Sequence, residues 1–174
     1  MGPRACRATG TELPSQQQAA EDEYIGMLES LENQLASTTY ALGDRPSAVD
    51  AILLGGLRAH TLADPIPDLS RFEKILAWEK SCNEGWDGSV DIVPTTDSTN
   101  FANHMLSIAE TEYKPFVLGN ARALLNEKKV FDITTYGEKT TYLARDYPER
   151  SREMLKRLSY DVLINSEVRI VNSW

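Results

Sequence analysis

His60 and Asp64 stand four residues apart, a spacing that brings two side chains together on one helix face. Such a pair is either a base–carboxylate couple or half of a metal site. One His and one Asp are too few ligands for tight transition-metal binding, and packing or a helix-end dipole role is the plainer reading. His104 sits beside Met105 with no local ligand partner. Asp87, Asp91 and Asp97 share a segment with Gly85, Gly88 and Pro94. Calcium needs more oxygen ligands at closer spacing, so these read as solvated loop charge. Cys82 follows an apolar stretch without a nearby His, which fits a structural thiol rather than a nucleophile. No catalytic residue and no metal site is assigned from these groups.

A second group is cationic. Tyr142, Arg145, Tyr147, Arg150 and Arg152 gather around an expected helix start. Arg145, Arg150 and Arg152 could hold a phosphate or carboxylate together with exposed backbone N–H groups. Asp146, Glu149 and Glu153 lie among them, so the competing reading is a salt-bridged surface. Asp146 and Glu149 also match a capping box, with Pro148 in the first turn. No Walker loop, dinucleotide fingerprint, nucleophile elbow or zinc-protease motif is present.

The elements that would position these groups are mostly helices. Ser47-Ala48-Val49-Asp50, directly before an apolar run, is a capping box: the Ser47 hydroxyl can take the Asp50 N–H and the Asp50 carboxylate can reach back to the Ser47 N–H. Gly43 is placed to end the preceding helix, and Gly55 and Gly56 suggest a close neighbour. Tyr24, Leu28, Leu31 and Leu35 form one stripe of a helix over residues 19–41. A second helix runs over 47–62. Asp64-Pro65-Ile66-Pro67 is a rigid turn, and Asp68 caps a third helix with Leu69, Phe72, Leu76 and Cys82 inward and Trp78 near its middle. Residues 83–97 read as a loop. Phe101, Met105 and Ile108 mark a fourth helix; Val117, Ala121 and Leu124 mark another, started or kinked by Pro115. The period then changes: 129–144 reads as a β-hairpin turning at Tyr136-Gly137-Glu138. Leu155, Leu158 and Val162 continue a last helix, and 167–171 is a short strand. The fold class is therefore mainly α, a helical bundle with a small appended β-hairpin. Residues 1–18, rich in Gly, Pro, Thr, Ser and Gln, read as a disordered tail or linker, and 19–174 as a single domain.

The formal net charge of -8 opposes nonspecific attraction to nucleic acid or an anionic membrane. There is no signal-peptide pattern, no run of membrane-spanning length and no disulfide framework for Cys6 and Cys82, so a soluble, reducing, cytoplasmic setting is expected.

The stretch from Tyr40 to Trp78, with its core motif at 43–54, resembles the C-terminal helical domain of the glutathione S-transferases. In that family the motif opens the sixth helix, at the centre of the domain, and serves folding more than chemistry. Residues 112–121, the Glu127-Lys128-Lys129-Val130-Phe131 run and the Tyr136-Gly137 hairpin resemble the tail of some atypical transferase-like proteins. Nothing before Ala19 corresponds to the family's thioredoxin-like domain, which holds glutathione, and the family's fourth helix also has no counterpart. The resemblance thus implies a noncatalytic binding or assembly module, with no cofactor of its own and glutathione only where a thioredoxin-like domain is supplied. Expected partners are such a domain, another protein or a second copy, with no nucleic acid and no membrane. Two alternatives stay open. The chain is the C-terminal part of a transferase whose thioredoxin-like half is missing, or it carries a small apolar ligand in a pocket lined by Phe101, Tyr113, Phe131, Tyr136 and Tyr142.

Overall fold

The computed structural model describes residues 3–62, 68–82 and 98–160; they are mainly helical, with one two-stranded antiparallel sheet. The chain divides into two compact units: Glu21–Ser107, and Met1–Ala20 together with Ile108–Trp174.

The Glu21–Ser107 unit is helical. Helix α2 (Pro14–Leu35) is rich in Gln, Ala, Glu and Leu, which lose little freedom in a helix. It stops where hydroxyl residues begin: Ser37 and Thr38 both donate back to the Gln34 carbonyl, at 3.0 and 3.1 Å. The predicted stripe is the buried face, with Leu28 and Leu31 fully inaccessible. They pack in a core with Ala41, Leu57, Leu69, Phe72, Ile75, Trp78 and Phe101. Each such large side chain contributes about 1.5–3 kcal/mol of transfer free energy when fully buried. Helix α3 (Ala48–Gly56) runs into a π-helical turn, Leu57–Thr61, and the Thr61 hydroxyl hydrogen-bonds the Tyr24 hydroxyl.

Three local expectations fail here, each for a physical reason. Gly43 does not end a helix; it pairs with Tyr40 through two main-chain bonds at φ +139°, a conformation costly for any residue with a Cβ. Gly55 and Gly56 meet no neighbour within 4 Å among the described residues, so no close approach there calls for glycine. Asp68 does not cap the third helix, because its carboxylate turns onto the Ser70 N–H and hydroxyl. Helix α4 (Glu73–Ser81) starts later, behind Phe72, which has no capping side chain. Its first free N–H groups, on Lys74 and Ile75, go instead to the two carboxylate oxygens of Glu32 on α2, both at 2.9 Å. Helix α5 (Asn100–Ile108) places Phe101 in the core.

In the other unit, where a tail or linker was expected, residues 3–9 and 14–18 are helical. Helix α1 (Pro3–Thr9) and the start of α2 lie either side of Gly10, whose φ is +69° and whose Cβ position would collide with the Tyr142 hydroxyl. Gln16, 2% exposed, donates to the Thr135 carbonyl at 3.3 Å and the Thr140 hydroxyl at 2.8 Å. The polar composition that mimics a linker thus fills specific hydrogen-bonding positions. A π-helical turn, Ala109–Tyr113, leads into α6 (Lys114–Leu125), with Pro115 in its first turn, where a missing N–H costs nothing.

The hairpin falls within the expected span. Strand β1 (Val130–Thr135) pairs with β2 (Glu138–Leu143), from Val130↔Leu143 to Thr135↔Glu138. Tyr136 and Gly137 both have positive φ, 51° and 78°, the signature of a type I′ turn that matches strand twist. The Glu112 carboxylate steadies the turn by accepting the Tyr136 N–H at 3.1 Å. Helix α7 (Asp146–Tyr160) follows. No helix among the described residues is long and apolar enough to cross a membrane. The expected Asp64–Pro67 turn, the 83–97 loop with its three aspartates, Val162 and the 167–171 strand lie outside the described residues.

Candidate binding groove

A groove of about 730 Å³ runs between α6 and β1. The helix supplies Pro115, Leu118, Gly119, Arg122 and Ala123, spaced as one helical face and continued by Asn126 just past its end, and the strand supplies Val130, Phe131, Asp132 and Ile133. Gly119 sets the distance between the walls. A Cβ there would come within 2.7 Å of the Phe131 ring and 3.1 Å of Ile133, so only glycine lets the strand's inner side chains reach the helix backbone.

The groove floor rests on an aromatic cluster. Phe131 and Tyr142 are direct cross-strand partners, 5.7 Å apart and stacked. Phe116 meets Tyr142 edge-on at 5.1 Å and Phe131 at 5.7 Å, geometries that favour the ring quadrupoles. Buried Asn120 ties α6 to the chain after β2: its amide donates to the Arg145 carbonyl at 2.9 Å and accepts the Arg145 N–H at 2.8 Å. A lone Asn inside an otherwise apolar helix face was the available sequence signal for this tie.

Charge at the groove is uneven. Asp132 is occupied by Thr141 at 2.6 Å and Lys139 at 2.9 Å; the Thr141 hydroxyl first, then Lys139, holds its carboxyl below the usual range. Arg122 and Lys128 are exposed, and neither side chain has a hydrogen-bond or ion-pair partner among the described residues.

The residues expected from sequence are distributed as follows. Asp50 is 5% exposed and works inside its own fold: one oxygen accepts the Ala41 N–H at 2.9 Å, the other the Ser47 N–H and hydroxyl, each at 2.8 Å. The Ser47 hydroxyl in turn accepts the Val49 N–H at 3.2 Å, and the box with Asp50 is closed in both directions. Asp146 and Glu149 do not exchange the reciprocal bonds of a second box among the described residues. Asp146 is already the first helical residue and faces Arg150 at 3.9 Å, while Arg152 forks onto Glu149 at 2.9 and 2.7 Å. That fork, chiefly by hydrogen bonding, lowers the Glu149 pKa and raises that of Arg152. Arg152 is thus paired with Glu149, Arg150 lies near Asp146, and Arg145 meets Asn120 through its main chain.

No known family model, curated protein or solved structure matches this chain.

Of the remaining candidates, His60 is exposed on the π turn, and Asp64 is outside the described residues. His104 packs beside Gly26, its buried Nε2 without a hydrogen-bond partner among the described residues, as is the indole N–H of Trp78. Cys82 is half-buried; burial, then the nearby Asp50 charge, pushes its thiol pKa up, away from nucleophile character. Among the described residues no three His, Cys, Asp or Glu side chains are grouped to hold a metal. Of the five aromatics expected to share a pocket, Phe101 lies in the helical core of the Glu21–Ser107 unit, and Phe116, not foreseen, is the hub of the cluster that Phe131 and Tyr142 join.

Proposed function

We propose that this chain is a noncatalytic binding or assembly module on a helical scaffold resembling the C-terminal domain of the glutathione S-transferases. The observation that carries the reading is the α6–β1 groove, apolar along Leu118, Val130, Phe131 and Ile133 and edged by two cations, Arg122 and Lys128, without side-chain partners among the described residues. Apolar lining with a few free polar groups is the general form of a recognition site. The use of Asp50 supports the resemblance as one of folding: its oxygens are filled by main-chain and hydroxyl donors of its own unit. Both cysteines are free thiols, which suits a reducing, cytoplasmic setting.

Isothermal titration of the pure chain with glutathione, beside a turnover assay with an aryl chloride electrophile, tests the proposal. A folded sample that neither binds nor turns over fits a noncatalytic module. Turnover, or micromolar glutathione binding, overturns it and favours a transferase.

A further inference from the structure

We propose that the open edge of β1 is a docking strand for an extended, acidic peptide segment of a partner protein. The proposal rests on the binding-module reading and names the occupant of its groove.

The register shows which main-chain groups are free. Ala144 donates its N–H to the Lys129 carbonyl at 2.9 Å, extending the ladder one pair beyond Val130↔Leu143. Antiparallel pairs alternate between residues that exchange main-chain bonds and residues that do not. With 129↔144 a bonded pair, Phe131, Ile133 and Thr135 also turn their N–H and C=O groups to β2. Val130, Asp132 and Thr134 turn theirs the other way, and no hydrogen bond among the described residues engages them. Among the described residues the sheet has only two strands, and no third strand takes up this edge.

The groove lies along that edge. Side chains alternate between the two faces of a strand, so a cavity over one face touches every second residue. This groove is lined by four successive residues, 130 to 133, as a channel beside the strand would be. Its other wall is the α6 face from Pro115 to Ala123. A strand edge beside a helix is the geometry in which an added peptide strand finds both a hydrogen-bond ladder and side-chain contacts.

Charge and polarity select the occupant. Among the described residues Arg122 and Lys128 have no side-chain partner, although the whole chain carries a formal charge of -8, so the groove edge favours acidic side chains. A purely apolar ligand would dry the main-chain groups of Val130, Asp132 and Thr134 without pairing them, at a cost of lost hydrogen bonds. An extended peptide satisfies the ladder and the cations together.

The test uses the full chain, ¹⁵N-labelled, titrated with an array of end-blocked hexapeptides in which Glu or Asp alternates with Val, Ile, Leu, Phe, Tyr or Thr. The expected result is binding by members of the array, with amide shifts and slowed exchange at Val130, Asp132 and Thr134. Methylating alternate peptide nitrogens abolishes it. The R122E/K128E variant, checked for a native spectrum, weakens binding roughly tenfold or more and shifts preference to Lys-containing analogues. Silence across the array at about 1 mM overturns the proposal, as does equal binding by the methylated peptides. Concentration-dependent shifts in the free protein would assign the edge to a second copy instead. Decanoate binding without peptide binding sinks the peptide but leaves the binding-module reading standing; glutathione turnover sinks that reading separately.

Discussion

Replacing Asp50 by Ala should cost this fold far more than replacing its capping partner Ser47. The Asp50 side chain accepts three hydrogen bonds at 2.8–2.9 Å, two of them from main-chain N–H groups. Ala41 has no solvent exposure at all, so its N–H cannot turn to water when the carboxylate is gone. An unsatisfied buried donor costs about 1–3 kcal/mol. The half-buried Ser47 N–H adds the loss of half a cap, about 1 kcal/mol. The sum, about 2–4 kcal/mol, is a large part of a typical stability of about 5–15 kcal/mol. For a chain of this size about 3 kcal/mol lowers the melting temperature by about 6–12 °C. Ser47→Ala removes the hydroxyl's contacts with the Val49 and Asp50 N–H groups and its donation to Asp50, the ordinary loss of a cap, so about 1 kcal/mol is expected. Asp50→Asn should fall between the two, because its amide keeps one acceptor oxygen for a main-chain N–H but leaves the other N–H facing a donor. Urea titration gives the stabilities, and hydrogen exchange at the Ala41 amide gives the local readout. Exchange should accelerate in Asp50→Ala and stay slow in Ser47→Ala. An Asp50→Ala protein within about 0.5 kcal/mol of the parent, inside the scatter of ordinary surface substitutions, would refute this account.

Further outcomes follow from single positions. Gly119→Ala forces a Cβ to within 2.7 Å of Phe131, so overpacking should destabilise by about 1–3 kcal/mol and shift the hairpin amide resonances. Gly55→Ala meets open space in a helix and should stabilise by about 0.4–1 kcal/mol in a urea titration; a loss would reveal a contact there. Glu149, whose pKa Arg152 lowers, contributes stability above its unfolded value of about 4.3 that is lost as pH falls through the lower folded value. With both side chains only partly shielded, the contribution is about 0.5–1 kcal/mol, and Glu149→Gln should flatten that part of the acid limb. Glu32→Ala strips the acceptors from Lys74 and Ile75 and should cost about 1–2 kcal/mol, with faster exchange at those two amides.

What could be read from the sequence was what depends on near neighbours. The Leu28/Leu31 stripe, the Ser47–Asp50 spacing and the change of period before the hairpin each sit within a few residues of their cause. The misses have distant causes. Asp68 looked like a cap because its true substitute, Glu32, lies far back in the chain. The contacts of Gln16 could not be read locally, because its acceptors on Thr135 and Thr140 are more than a hundred positions away. The π turns at Leu57–Thr61 and Ala109–Tyr113 add a fifth residue to a turn and rotate the helix face, which breaks the simple 3.6 period. The groove was hardest to see. Phe131 and Tyr142 were visible as aromatics, but their hub Phe116, the glycine that admits them and the direction of the free main-chain groups all follow from register.

The carboxylate of Glu32 has a kinetic consequence. A helix capped from within its own sequence can flicker into existence on its own. Helix α4 is only 9 residues long, too short to persist in isolation, and the acceptors for its first amides belong to another helix. Its nucleation must therefore await the closing of a loop of some forty residues, which places it late in assembly and makes it an early segment to open under native conditions.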